Sequence, residues 1–185
     1  MIGKVVKDTC TDCGKLKFLA NKSKKLCTTC VSIRKRQKDK ETRELKKKKK
    51  TESSSFLIKK LDKIFSVFIR LESTDREGNT ICFTCGRKEY WRKIQCGHFQ
   101  SRRFMSTRFH VLNCRPQCYA CNIGLSGNQY AFGLNLDKTF KKGTADEMVS
   151  LSKEIKKFTP DELKEIIEHY DNAVNKLRKK LNIWD

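Results

Sequence analysis

Four pairs of cysteines, each pair separated by two residues, constrain the fold of this chain more than any other feature of its sequence. The pairs are Cys10/Cys13, Cys27/Cys30, Cys82/Cys85 and Cys118/Cys121. One such pair can place two thiolates on a metal ion from a tight turn, and two pairs complete a tetrahedral zinc site. Nothing in the sequence indicates secretion, and disulfides are rare in the reducing cytosol. We therefore predict two structural Zn²⁺ sites, each closed by four thiolates.

Residues 1–31 contain the first two pairs within a short lysine-rich segment, CTDCGKLKFLANKSKKLCTTC. A segment of this size has too small a core to fold alone, so metal binding would drive its folding. We predict an N-terminal zinc knuckle or ribbon with a purely structural role. Residues 32–54 follow as a basic, partly helical linker. This linker either lies along phosphates or only separates and solubilises the two parts.

Two amphipathic patterns predict helices on either side of the second cysteine set. The apolar stripe of SSSFLIKKLDKIFSVFIRLE follows a serine that can cap the helix. Near the C-terminus, FTPDEL places Thr159 as N-cap, Pro160 at the first helical position and Glu162 three residues after the cap. GTADEM offers a similar capping box in Thr144 and Glu147. Residues 136–185 thus form a C-terminal helical region.

The segment between Cys85 and Cys121 predicts two strands and a helix. KIQCGHFQ alternates like a strand, RFHVLNCRPQ returns as a second strand or a loop, and CYACNIGLSGNQYAF begins a short helix. Two strands and a helix held by four thiolates is the layout of a ββα-metal nuclease core. We therefore predict the α+β class, with residues 55–135 containing a helix and this zinc-stapled core.

The charge of the chain favours a polyanionic partner. The 42 Lys and Arg residues outnumber the 21 Asp and Glu residues, which gives a formal net charge of +21. Such an excess attracts nucleic acid. No apolar run approaches the roughly 20 residues needed to span a bilayer. We expect nucleic acid as the partner, and no membrane.

The motifs CFTCG, GHFQ, NCRPQCYACN and the following SGN resemble the phage lambda NinG (Rap) family, and more broadly the zinc-containing HNH endonucleases similar to endonuclease VII. The resemblance covers most of the chain. It implies an HNH-like core with flanking helices, and a phage-encoded protein acting in the cytoplasm of the bacterial host. The implied activity is hydrolysis of phosphodiester bonds in branched recombination intermediates, such as Holliday junctions and D-loops. Other phage recombination proteins and a second copy of the chain are further candidate partners.

The resemblance also implies roles for individual residues. His98 matches the general base that activates water, Asn113 matches a bracing asparagine, and Asn122 matches a ligand of the catalytic divalent cation. An imidazole titrates near neutral pH, and an amide oxygen suits Mg²⁺ or Mn²⁺. The guanidinium groups around His98 can bind phosphate. The resemblance implies that Ser126 and Asn128 also contact phosphate. The expected DNA-binding set is Arg102, Arg103, Arg108, Arg115, Ser126 and Asn128.

The sequence leaves several alternatives open. HNH nucleases commonly carry an acidic metal ligand near the histidine, but Gln95 to Gly97 contain none, and His110 is a candidate extra ligand. Cys96 and His98 face the same side of a strand, so a Cys82/Cys85/Cys96/His98 zinc site competes with the tetracysteine arrangement. Otherwise Cys96 and Cys114 are buried neighbours across the two strands. The functional alternatives are a non-catalytic zinc-containing DNA-binding recombination accessory protein and an RNA-binding zinc protein.

Overall fold

A computed structural model of the chain describes residues 7–21, 23–51 and 53–183. The chain forms two compact units, residues 1–52 and 53–185. Helices and small antiparallel sheets make it an α+β protein, as predicted. The ends of the predicted N-terminal and C-terminal segments, residues 1–6 and 184–185, lie outside the described residues. In the part that is described, no helix is long and apolar enough to cross a bilayer.

The first unit is a three-stranded antiparallel sheet followed by one long helix. Strands β1 (Lys7–Thr9), β2 (Leu16–Asn21) and β3 (Leu26–Cys27) pair in chain order, and helix α1 spans Thr28–Thr51. Its buried cluster consists of three cysteines and Leu26, with Leu19 and Val31 packed against it. Helix α1 begins between the cysteines of the second pair and continues through most of the segment that the sequence suggests as a partly helical linker.

The second unit is built on two long helices. Helix α2 (Ser54–Glu72) packs along the last helix, α5 (Pro160–Leu181). Between them and the neighbouring strands lies an apolar cluster, whose buried members are Leu57, Leu61, Phe65, Ile69, Cys96, Cys114, Leu163 and Ile167. The predicted caps at both helix starts are present: Ser53 accepts from the amide of Phe56, and Thr159 and Glu162 form the capping box.

Four short strands and two further helices complete the second unit. Strands β4 (Asn79–Ile81) and β5 (Lys88–Tyr90) form one antiparallel pair, and β6 (Gln95–His98) and β7 (Cys114–Gln117) form another. A π-helical turn, Ala120–Gly124, follows β7 and leads to α3 (Gln129–Thr139) and α4 (Thr144–Ser152). Both β6 and β7 pack against α2.

Helix α4 begins differently from the sequence-based expectation. Thr144 is its first residue and not its cap, because Gly143 precedes it in a left-handed conformation with φ 92°. The Thr144 hydroxyl donates to the carbonyl of Lys141 at 2.7 Å. The carboxylate of Asp137, from α3, accepts from the amide of Ala145 at 2.9 Å. The expected Thr144–Glu147 capping box is therefore wrong, since a side chain from the preceding helix takes its place.

Candidate metal centres and a basic cleft

The four cysteines of the first unit converge on one point. Cys10 and Cys13 lie on the turn after β1, Cys27 ends β3, and Cys30 lies in the first turn of α1. Their sulfur atoms all lie within 4.8 Å of one another. The amide of Cys27 donates to the Cys10 sulfur at 3.3 Å, and this hydrogen bond is the main reason why the pKa of Cys10 is lowered to about 6. The donor set fits a structural zinc ion.

The four cysteines of the second unit form an equivalent group. Cys82 and Cys85 lie on the turn between β4 and β5, and Cys118 and Cys121 lie at the π-helical turn. All four sulfur atoms are within 4.8 Å of one another, with those of Cys85 and Cys118 3.7 Å apart. Zinc bound here would hold the β4–β5 turn against the end of β7, and four thiolates would leave it no open position.

Hydrogen bonds also prepare a thiolate in this second group. Burial raises the pKa of Cys82, but hydrogen bonds from the Thr84 hydroxyl and from the amides of Cys118 and Cys85 outweigh burial and lower it to about 6. Metal ligands of this type must be deprotonated. Both tetracysteine groups could therefore hold zinc, and they consist of the eight cysteines that the CxxC spacing selects.

Cys96, His98 and Cys114 form a third group of candidate ligands. Their ligand atoms also lie within 4.8 Å of one another. Cys96 and Cys114 are only 4% and 0% exposed, and both belong to the apolar cluster beside α2. The alternative Cys82/Cys85/Cys96/His98 site does not match this arrangement, because the structure groups Cys82 and Cys85 with the later CxxC pair.

His98 is half-buried at the end of β6. Burial, followed by the positive charge of Arg102, lowers the pKa of its imidazole to about 4. The side chain is therefore uncharged at neutral pH, and a ring nitrogen has a lone pair that can accept a proton or bind a metal ion. The lowered pKa also makes His98 a weak base.

Asn113 is fully buried and braces the loop between β6 and β7. Its amide nitrogen donates to the carbonyls of Gln100 and Thr107, both at 3.0 Å, and its oxygen accepts from the amide of Gln100 at 2.6 Å. These bonds hold the loop close to the end of β6, where His98 lies. The contacts of Asn113 are therefore internal to the protein.

Asn122, on the π-helical turn, contacts a residue that the sequence did not single out as a functional group. Its amide nitrogen donates to the side-chain oxygen of Gln95 at 2.7 Å. Both residues line a cleft of about 460 Å³ that we call the basic cleft. Its lining residues are Ser66, Arg70, Arg92, Lys93, Ile94, Gln95, Cys96, Arg102, Asn122 and Ile123. Four of the ten are cationic and none is a carboxylate.

Only one arginine of the expected DNA-binding set lines this cleft. Arg102 lies there, whereas Arg103 is exposed with its guanidinium over the ring of Phe104. The Arg108 guanidinium donates two hydrogen bonds to the carboxylate of Asp62, at 3.0 and 2.6 Å.

The remaining three members of the set lie outside the cleft lining. Arg115 is half-buried, and its guanidinium lies 4.6 Å from the ring centroid of Phe140. Ser126 and Asn128 follow the π-helical turn in left-handed conformations, the first exposed and the second half-buried. The structure therefore brings Arg102 to the same cleft as Asn122. The other five members of the expected DNA-binding set do not line this cleft.

His110 also lies outside the cleft lining. Its Nδ1 atom accepts from the amide of Leu112 at 3.2 Å, and the ring borders a separate, mainly apolar pocket beside Phe158 and Tyr170. Arg70, Arg92 and Lys93 were missed by the sequence analysis. Arg92 and Lys93 lie in the charged segment YWRKIQ, but the sequence alone does not distinguish them from other surface cations.

The fold and these cysteine groups define an α+β protein with two tetracysteine sites able to hold zinc. The family model described as the bacteriophage lambda NinG protein matches residues 4–180. The chain therefore belongs to the bacteriophage lambda NinG family, which connects it with phage recombination. Comparison with curated proteins gave no significant match, and neither did comparison with solved structures.

Proposed function

We propose that this NinG-family protein is a divalent-cation-dependent DNA endonuclease that cuts branched recombination intermediates, such as Holliday junctions and D-loops. The proposal rests above all on the basic cleft, which combines four cationic side chains with the Gln95–Asn122 amide pair. The base candidate, His98, lies on the same short strand as Gln95 but is not among the residues that line the cleft. The order of two paired strands followed by a helical turn also supports it.

Binding of DNA in the cleft would come from its charge. Arg92, Lys93 and Arg102 are exposed cations on the cleft wall, and its ten described lining residues include no carboxylate that would repel a phosphate. Each cation that neutralises a phosphate releases counterions, so affinity falls as salt rises. Such backbone contacts carry little sequence information. This suits an enzyme that selects the structure of DNA and not its sequence.

The chemistry would be divided between the two ends of β6. A strand rises about 3.3 Å per residue, so Gln95 and His98 are about 10 Å apart along the backbone. At the cleft end, the amide oxygens of Asn122 and Gln95 suit Mg²⁺ or Mn²⁺, with water and phosphate oxygens as further ligands. Such a cation stabilises the charge that develops on the phosphate. At the other end, the uncharged His98 would accept a proton from the attacking water.

A second candidate function has support from the same cleft. The absence of carboxylates among its described lining residues weakens any cation site, and the pKa of about 4 makes His98 a weak base. A non-catalytic zinc-containing DNA-binding accessory protein would need only the cations. Binding without cleavage would be its signature.

The deciding experiment is a cleavage assay on a four-way junction beside a linear duplex of the same sequence, with Mg²⁺ or Mn²⁺. We expect metal-dependent cutting of the junction. His98→Ala should reduce the rate by about 10²–10⁴-fold, the usual contribution of a general base, and Asn122→Ala should weaken the response to the cation. Both variants should still bind the junction, because neither removes a cationic side chain.

Matched controls are available on α5. His169 and Asn172 are exposed residues of this helix and do not line the cleft, so His169→Ala and Asn172→Ala should cut normally. Arg102→Ala should weaken binding of the junction and the duplex alike and should reduce the salt dependence by about one phosphate contact. Wild-type protein that binds junctions but cuts no DNA with either cation would favour the accessory-protein function.

A further inference from the structure

We propose that Cys96, His98 and Cys114 form a third metal site, which binds a thiophilic transition metal ion such as Zn²⁺. This site would be separate from both tetracysteine groups. It would also be separate from the Mg²⁺ or Mn²⁺ position at Asn122, because its donors are sulfur and nitrogen and not oxygen.

The pairing of β6 and β7 brings the three donors together. His98 lies directly opposite Cys114 in the strand register. Cys96 precedes His98 by two residues, so both side chains project from the same face of β6. Zinc–sulfur and zinc–nitrogen bonds of about 2.3 and 2.0 Å place two tetrahedral ligands about 3.5–4 Å apart. The present ligand atoms, all within 4.8 Å of one another, need to move by about an ångström or less.

The charge balance of this site suits its buried position. Two thiolates neutralise one Zn²⁺, so the filled site carries no net charge. An uncompensated ion would be costly among apolar side chains such as Leu61 and Phe65. The uncharged imidazole of His98 supplies the third ligand without changing this balance.

One neighbouring group already contacts the Cys114 sulfur as a donor, the side-chain amide of Asn113 at 3.9 Å. An outer contact of this kind orients a metal ligand. The Cys114 thiol itself donates to the carbonyl of Arg108 at 3.5 Å, and metal binding would replace this hydrogen bond when the thiol loses its proton. Among the described residues no fourth Cys, His, Asp or Glu joins the group. One tetrahedral position would therefore remain for water or a small ligand, and Cys96 also borders the basic cleft, from which a metal ion could enter.

The site would have a regulatory consequence, which rests on the proposed function. A His98 nitrogen that binds zinc cannot at the same time take a proton from water. Zinc at the third site would therefore switch off cleavage, whereas zinc at the two tetracysteine groups would maintain the fold. The protein would be active with two zinc ions per chain and inactive with three.

Metal content tests the site without reference to cleavage. Full-length protein is equilibrated with excess Zn²⁺ under a non-thiol reductant, freed of loose metal and analysed. We expect about three zinc ions per chain for the wild type and about two for Cys96→Ala, Cys114→Ala and His98→Asn. The control His169→Ala should keep about three. Cobalt substitution should give thiolate-to-metal charge-transfer absorption, part of which disappears in Cys114→Ala.

Several results would overturn the proposal. One is a wild-type content of about two, and another is a third ion retained by all three variants. The His98→Asn variant keeps both buried cysteines, so it remains informative if a cysteine variant fails to fold. In the cleavage assay, excess zinc should slow the wild type by about 100-fold or more, relative to its own rate with two zinc ions per chain, and should slow Cys114→Ala far less. Absence of any cleavage would instead refute the endonuclease function, and the zinc count would still decide the site.

Discussion

Replacement of Gly97 by alanine should be one of the most damaging small changes in this protein. Gly97 lies between Cys96 and His98 on β6, and its backbone does not have a positive φ. The constraint is space: a methyl group on Gly97 would lie 2.5 Å from Cδ and 2.7 Å from Cγ of Gln117, and closer still to its oxygen. Gln117 is fully buried on the paired strand, so it has no solvent to move into.

The loss of stability can be estimated from the hydrogen bonds of the Gln117 side chain. Its side-chain nitrogen donates to the carbonyl of Gly127 at 2.8 Å and to the hydroxyl of Thr84 at 3.3 Å. Displacing it would lose two hydrogen bonds worth about 1 kcal/mol each. Overpacking adds about 1–3 kcal/mol. Among the described residues the Gln117 oxygen has no hydrogen-bond partner to lose. We expect a total of about 3–5 kcal/mol, a large share of the roughly 5–15 kcal/mol that stabilises a typical domain.

Urea denaturation followed by circular dichroism, with zinc present, would measure this cost. The double variant Gly97→Ala/Gln117→Ala tests the cause. Removing the Gln117 side chain makes room for the new methyl group, so the double variant should be at least about 1 kcal/mol more stable than the sum of the single effects implies. A change in stability of less than about 0.5 kcal/mol for Gly97→Ala, or single effects that simply add in the double variant, would contradict a clash between Gly97 and Gln117.

Three further predictions concern charge, metal and pH. Asp62→Ala should destabilise the protein by about 1–3 kcal/mol in the same urea assay, because the largely buried Arg108 loses a two-bond partner; an unchanged midpoint would contradict this. Cys13→Ser should lower the zinc content by about one ion per chain and leave the thermal unfolding of the second unit in place; loss of that transition would show that the units depend on each other. The His98 pKa is lowered to about 4, so the unfolded chain binds a proton near pH 6.5 that the folded chain does not. In protein holding two zinc ions, His98 should therefore remove about 1 kcal/mol of stability between pH 7.5 and 5.5, and His98→Gln should lose that part of the decrease while the part from His110, whose pKa burial also lowers, remains; an NMR titration of His98 with a midpoint near 6.5 would refute it.

Local signals predicted much of this fold. The CxxC spacing selects the same eight cysteines that converge in the structure, because ligand spacing is set by the turn itself. The apolar stripe of α2 and the Thr159–Glu162 box depend only on residues within a few positions of one another. In each case the information needed lies inside the element.

Contacts between residues of different helices and strands could not be predicted from local sequence. Gln95 contacts Asn122 across 27 residues, and Asp137 from α3 takes the capping position at α4. The strand pattern placed Cys96 and His98 on one face, and a competing alternative made Cys96 and Cys114 buried neighbours across the two strands. The three-ligand group itself required the register of β6 against β7. Arg70 lines the cleft from α2. The sequence pattern of that segment indicated only a helix and gave no sign of the cleft.

The second tetracysteine group has a consequence for how this protein can change. Cys118 directly follows β7, so a metal ion bound there fixes where β7 stops relative to its partner, β6. A slip of one residue would turn every side chain of a strand to the opposite face, taking Gln95 away from Asn122 and His98 away from Cys114. A zinc ion without any chemistry of its own would thus decide which atoms of β6 are available for chemistry.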